Sequence, residues 1–175
     1  IQIFYLERHA GVSNCLMRFN LPMVPSDAVN ISKNLVNQDG KDLSVTPDVN
    51  YTFTLYTAED NDDNVNATVF TAKANTSYTV IGRGAPNDIQ FTDENGRFVL
   101  KDGWIASFSD IPRFTEVYVV ESEPSDGYIY CRSTVSVNKS DATDYVYGFQ
   151  TETKVMQLNS SINFDFVNYM QTQPL

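Results

Sequence analysis

Residues 160–170 read SSINFDFVNYM, and the alternation inside this run decides the fold. Every second residue from Ile162 gives Ile162, Phe164, Phe166 and Asn168: three large apolar side chains on one face of a strand, then an amide in the fourth place. A buried carboxamide without partners costs a few kcal/mol, about 1–3, so Asn168 must be hydrogen-bonded or used.

The rest of the 175-residue chain has the same character. It carries 10 Tyr and 11 Phe with abundant Thr, Val and Ile, the usage of a folded β-rich protein rather than a low-complexity one. Strand patterns recur through VNISKNLV, YTFTLYTA, VFTAKANTSYTVIG, DIQFT, GRFVLKDG, WIASFSDI, EVYVVESE, YIYCRSTVSVN, YVYGFQT, TKVMQLN and SINFDFVNY. The turn signals QDG, ENG, KDG and SDG separate them, and no segment holds helical periodicity. This predicts an all-β, antiparallel β-sandwich over 25–175 with Val29, Ile31, Phe53, Leu55, Phe98, Leu100, Val117, Val119, Phe164 and Phe166 in its core. Residues 1–24 are expected to form a separate unit, an N-terminal β-hairpin around HAGVSN, with LPMVPSD reading as the link to the sandwich. The chain reads as a piece excised from a larger protein.

Charge excludes one class of partner. A net charge of −10 and a pI near 4.4 are wrong for nucleic acid, which needs a basic face. No apolar run is long enough to insert in a membrane. No metal or other cofactor is expected. The acidic stretch AEDNDDNVN (58–66) has Val65 where a calcium loop opened by Asp60 needs Gly, and His9 has no partner histidine. Cys15 and Cys131 lack metal-site spacing and read as small apolar fillers, with a disulfide the alternative. Trp104 reads as a half-buried aromatic, with a sugar-stacking platform the alternative. The Asn-x-Ser/Thr triplets at Asn30, Asn50, Asn66, Asn75 and Asn138 arise by chance in so Asn-, Ser- and Thr-rich a chain.

Two other stripes are interrupted as that of Asn168 is. Lys33 follows Val29 and Ile31 and precedes Leu35, and Glu121 follows Val117 and Val119. Lys, Glu and Asn in a core are the ingredients of an intramolecular isopeptide bond. Burial favours the neutral amine and the protonated carboxyl. That carboxyl can polarise the amide and shuttle protons while ammonia leaves. Contact fixed by folding supplies a high effective concentration. The same residues have a plain structural reading: Lys33 snorkelling to an edge, Glu121 at a strand end, Asn168 capping a ladder.

The segments ISKNL, FTLYTA, GRFVLKDGWIASFSDIP, EVYVVESEP and INFDFVNY, in this order over about 29–169, resemble the isopeptide-forming immunoglobulin-like domains of Gram-positive surface proteins, the Cna B-type and major-pilin family. The resemblance implies an immunoglobulin-like (Cna B-type) sandwich with Lys33 as nucleophile, Asn168 as electrophile and Glu121 as the assisting acid/base. Two features depart from the family pattern. Arg113 and Phe114 stand where a Gly usually follows the Pro of the IP turn, and Glu123 shares the phase of Glu121 and competes for its role. FYLERHAGVSNCLMRFNLP resembles the hairpin that closes a preceding β-domain in large clostridial-type surface proteins.

The implied function is a structural stalk or pilin-like domain of a cell-surface adhesin, extracellular and anchored to the wall of a Gram-positive-type bacterium. It is no enzyme, since the cross-link forms once per molecule. Its partners are neighbouring domains of the same protein, with host matrix or glycan reached through the parent protein. The alternative is a module that itself binds carbohydrate or host matrix protein through Trp104, Tyr128 and Tyr130.

Overall fold

A computed structural model describes residues 28–58, 69–124, 127–138 and 144–171. The hairpin expected over 1–24, with His9 and Cys15, lies outside these residues, as does nearly all of the acidic stretch 58–66. The described chain is all-β. Its strands are β1 (Val29–Val36), β2 (Tyr51–Ala58), β3 (Thr71–Ala72), β4 (Ser77–Ile81), β5 (Gln90–Phe91), β6 (Arg97–Leu100), β7 (Trp104–Phe108), β8 (Glu116–Glu121), β9 (Tyr128–Val137), β10 (Val146–Tyr147), β11 (Lys154–Val155) and β12 (Ile162–Met170).

The strands form the two sheets of an immunoglobulin-like sandwich. The larger runs β10-β9-β12-β1-β7-β4-β5, and the smaller runs β11-β8-β2-β3 with β6 also on β2. The alternation that builds them is visible in burial: β8 is buried at Val117, Val119 and Glu121 and only partly at the residues between. All ten expected core residues lie in one hydrophobic cluster. Aromatic contacts knit it together, with Phe53 edge-on to Phe166 at 5.1 Å and Phe98 edge-on to Phe108 at 5.1 Å.

Two features depart from simple strand reading. VFTAKANTSYTVIG breaks into β3 and β4 at Asn75, which takes a left-handed φ of 50°. The ENG turn needs its glycine, because Gly96 has φ 74° and a Cβ there would meet that of Ala72 at 2.8 Å.

Among the described residues all strand pairs are antiparallel except β1 with β12, which lie side by side and parallel, Val29 opposite Ile162 through Val36 opposite Tyr169. The chain therefore enters β1 at one end of the sandwich and leaves β12 at the other.

Candidate functional site

Lys33, Glu121 and Asn168 meet inside the core. Lys33 and Asn168 are 0% exposed and Glu121 is 1% exposed. Each arrives from its own strand. In the β1–β12 register Lys33 is opposite Phe166 and Leu35 is opposite Asn168, so Lys33 and Asn168 are diagonal neighbours on the inward face. Glu121 comes from the other sheet, at the end of β8, where Phe53 of β2 is its register partner.

Both nitrogens converge on one oxygen. Lys33 Nζ donates to Glu121 Oε1 at 2.8 Å, and Asn168 Nδ2 donates to the same atom at 2.9 Å. Asn168 Oδ1 has no hydrogen-bond partner among the described residues. The Tyr51 ring closes the site, its centroid 4.4 Å from Lys33 Nζ. Burial holds the Lys33 amine below its ordinary value, and the carboxylate of Glu121 opposes that shift without cancelling it. Cys131, opposite Asn168 on β9, is buried and has no disulfide partner among the described residues. Desolvation, with Glu121 nearby, pushes that thiol up to about 12 and keeps it protonated.

Glu121 and Glu123, which share a phase, have different surroundings. Glu123 lies beyond the end of β8, exposed, and accepts a hydrogen bond from Tyr128 Oη at 2.7 Å. It is Glu121 that touches Lys33 and Asn168. The missing turn glycine has a structural counterpart too. Phe114 adopts φ 64°, left-handed backbone that a bulky residue rarely takes, and its amide donates to Met156 O at 2.8 Å. The turn keeps a left-handed residue without the glycine.

Trp104 is half-buried and committed to its own surroundings. Its Nε1 donates to Arg83 O at 3.0 Å, the Lys101 amine sits 5.7 Å from its ring, and a Cβ on Gly82 would meet its Cδ1 at 2.5 Å. Tyr130, at the surface, stacks on Tyr169 with centroids 4.2 Å apart and meets Tyr147 edge-on at 5.8 Å. Asn30 is buried and bonds to Asn163 at 2.9 Å, so its triplet is closed to modification in the folded chain. Sequence patterning missed one polar contact beside the site, because it lies in a turn: Asp102 Oδ1 accepts the amide of Leu35 at 2.7 Å.

Fold and register together define a pilin-like immunoglobulin sandwich. The major pilin from Streptococcus pyogenes matches it with a TM-score of 0.59 at 18% identity over 84% of this chain and 48% of the pilin chain. Another S. pyogenes major pilin, T3.2, matches with a TM-score of 0.52 at 16% identity over 83% and 45%. The chain thus spans about half the length of the pilins it resembles. The profile of the family described as Domain of unknown function (DUF7601) matches residues 28–168, and the chain belongs to that family. Comparison with curated proteins gives no match.

Proposed function

We propose that this is a structural module of a Gram-positive-type cell-surface adhesin or pilus, extracellular and attached to the wall through its parent protein. A Lys33–Asn168 isopeptide bond that the domain makes for itself stiffens it. One observation carries the reading: a core lysine and a core asparagine, on the first and last strands of the described sandwich, share one carboxylate oxygen. A buried ion pair is weak support for stability alone, since well-packed apolar residues commonly do as well. A buried amine beside an amide and an acid has a chemical use.

The step balances within these residues. Glu121 Oε1 takes a proton from the Lys33 ammonium, a transfer that desolvation favours. The neutral amine attacks Asn168 Cγ. The protonated carboxyl turns to Asn168 Oδ1 and polarises the carbonyl. The Nζ–Cγ bond forms as the Cγ–Nδ2 bond breaks, and ammonia leaves with one hydrogen drawn from the lysine nitrogen through Glu121. No oxidant or cofactor enters. The amine and the amide are used up in the new bond, so this is self-modification and not turnover.

The mechanical consequence follows from the parallel seam. Tension applied at Val29 and at Met170 loads β1 against β12 in shear, and a Lys33–Asn168 bond carries it from one strand to the other past the rest of the domain. The closed loop exceeds a hundred residues, which stabilises by roughly 4–5 kcal/mol on the disulfide analogy. The test is the intact mass of the folded chain, expected about 17 Da below that of the sequence, one ammonia lost. A folded chain of full mass overturns the reading.

A second reading, binding of carbohydrate or host matrix protein by this module itself, draws on the surface tyrosines Tyr130 and Tyr147, which meet edge-on. A glycan or matrix-protein array separates it, and Tyr147→Ala should abolish any signal that arises there.

A further inference from the structure

The antiparallel register of β1 with β7 pairs Val29 with Phe108, Ile31 with Ala106 and Lys33 with Trp104. Continued by one step, it would bring Leu35 opposite Asp102. The ladder does not continue. The chain turns through Lys101, Asp102 and Gly103, with Trp104 N bonded to Lys101 O at 3.1 Å and Gly103 at φ 75°, and leaves for the other sheet. Two contacts replace the lost pairing. Gly103 N donates to Lys33 O at 2.8 Å, and Leu35 N donates to the Asp102 carboxylate at 2.7 Å. A side chain stands in for the missing strand carbonyl.

The place it holds is the row of the electrophile. Leu35 is opposite Asn168 on its other side, and Asn168 is opposite Cys131, so Asp102, Leu35, Asn168 and Cys131 follow one another across the sheet. Lys33 lies two residues back on the same strand. Without the carboxylate, Leu35 keeps β12 on one side and loses its bond on the other. The Gly103 bond to Lys33 O and the Val36–Asp42 bridge remain before and after it, but the row that holds Asn168 is no longer fixed from both sides.

We propose that Asp102 is a positioning residue for the cross-link: as acceptor for the Leu35 amide it fixes the end of β1 so that Lys33 Nζ and Asn168 Cγ meet. The proposal rests on the isopeptide reading above. Its weight is geometric, because a misplacement of about 1 Å can slow a positioned reaction on the order of a hundredfold. The required property is an acceptor oxygen at that distance, not the charge. Asn supplies one, Ala supplies none, and Glu moves it by a methylene.

The experiment uses the full chain, made by cell-free synthesis, quenched in acid at intervals and weighed for the loss of about 17 Da. Asp102→Asn should form the bond within about threefold of the wild-type rate, and Asp102→Ala on the order of 10- to 100-fold more slowly. In a Lys33→Ala background, where no bond can form, Asp102→Ala should still fold, which separates slow chemistry from failed folding. If the alanine chain does not fold, Glu against Asn decides: a slow Glu variant beside a fast Asn variant supports the role, and equal rates overturn it. A folded Asp102→Ala chain that cross-links at the wild-type rate overturns it, as does an Asn variant as slow as Ala. A wild-type chain that folds and keeps its full mass overturns the isopeptide reading and this inference with it, a result distinct from all of these.

Discussion

The two faces of the β1–β12 seam solve the same problem differently. On the outward face Ser107 Oγ donates to Asn30 at 2.6 Å, Asn30 Nδ2 to Asn163 at 2.9 Å, Asn163 Nδ2 to Ser136 at 3.4 Å, and Ser32 Oγ to Asp165 at 2.5 Å. Asn30 and Ser107 are nearly as buried as the core, yet apart from Asp165 the chain is built of neutral groups, each partnered by the next. On the inward face the same two strands carry an amine and an amide that compete for one carboxylate oxygen, with Asn168 Oδ1 unpartnered among the described residues. Neutral amides and hydroxyls satisfy one another at low cost. The inward arrangement carries an ionisation cost that a neutral ladder avoids. The outward face holds the seam, and the inward face has the composition to react across it.

Substitution should split the faces sharply. The largest effect is expected of Glu121→Ala, which prevents the bond and also leaves the Lys33 amine without its carboxylate, an additional 3–5 kcal/mol or so. Glu121→Gln should block the bond equally, since a carboxamide cannot carry the proton. Asn168→Ala loses the bond but leaves Lys33 its carboxylate, and the lost bond accounts for roughly 4–5 kcal/mol by the loop-closure analogy. Each is read by denaturant unfolding together with intact mass. If Glu121→Gln still loses ammonia, Glu121 is not the acid.

The outward ladder should respond on a smaller scale. Asn163→Ala should cost about 1–3 kcal/mol, the penalty for orphaning a buried partner, and should leave the mass loss intact. A full-mass Asn163→Ala chain that still folds would mean that the outward ladder sets the geometry of the reaction, and the division between the faces would fail.

Much of this was legible in sequence because a strand announces its faces with a period of two. The stripes through Ile31, Val119 and Phe166 located the core, and their interruptions located Lys33, Glu121 and Asn168. What periodicity cannot carry is register. It gave no means of finding that β1 and β12 run parallel, or that Asn168 is diagonal to Lys33. Nor could it separate Glu121 from Glu123, which share a phase and differ only in that the strand ends between them. Asn30 and Ser107 read as solvent-facing by alternation, and only their neighbours in space make them a ladder. Asp102 was hidden for a related reason, since KDG reads as a turn whatever its carboxylate touches. At Phe114 the sequence suggested a changed turn, yet left-handed backbone persists with a bulky residue in it.

The smallest expected effect is a slope, and its sign distinguishes the faces most directly. In Asn168→Ala the bond cannot form, so Lys33 stays titratable in the core. Burial lowers its folded value below the ordinary 10.5, against the pull of Glu121. Below the folded value both states hold the proton, and the cost of burying the ammonium is fully present. As pH rises through the folded value the native chain releases its proton while the unfolded chain keeps one. The unfolded state then binds more protons, and stability climbs with pH until the unfolded lysine titrates near 10.5. Lys33→Met in the same background should remove this climb, so the difference between the two curves reports the amine together with the carboxylate it is paired with. If attraction to Glu121 outweighed desolvation, the folded value would lie above 10.5 and stability would fall as pH rose through the folded value. That outcome would make Lys33–Glu121 an ordinary structural ion pair and leave the amine charged when the amide is within reach. A rising curve means that the fold itself pushes the proton off the nitrogen that must attack, a push the neutral outward ladder has no group to feel.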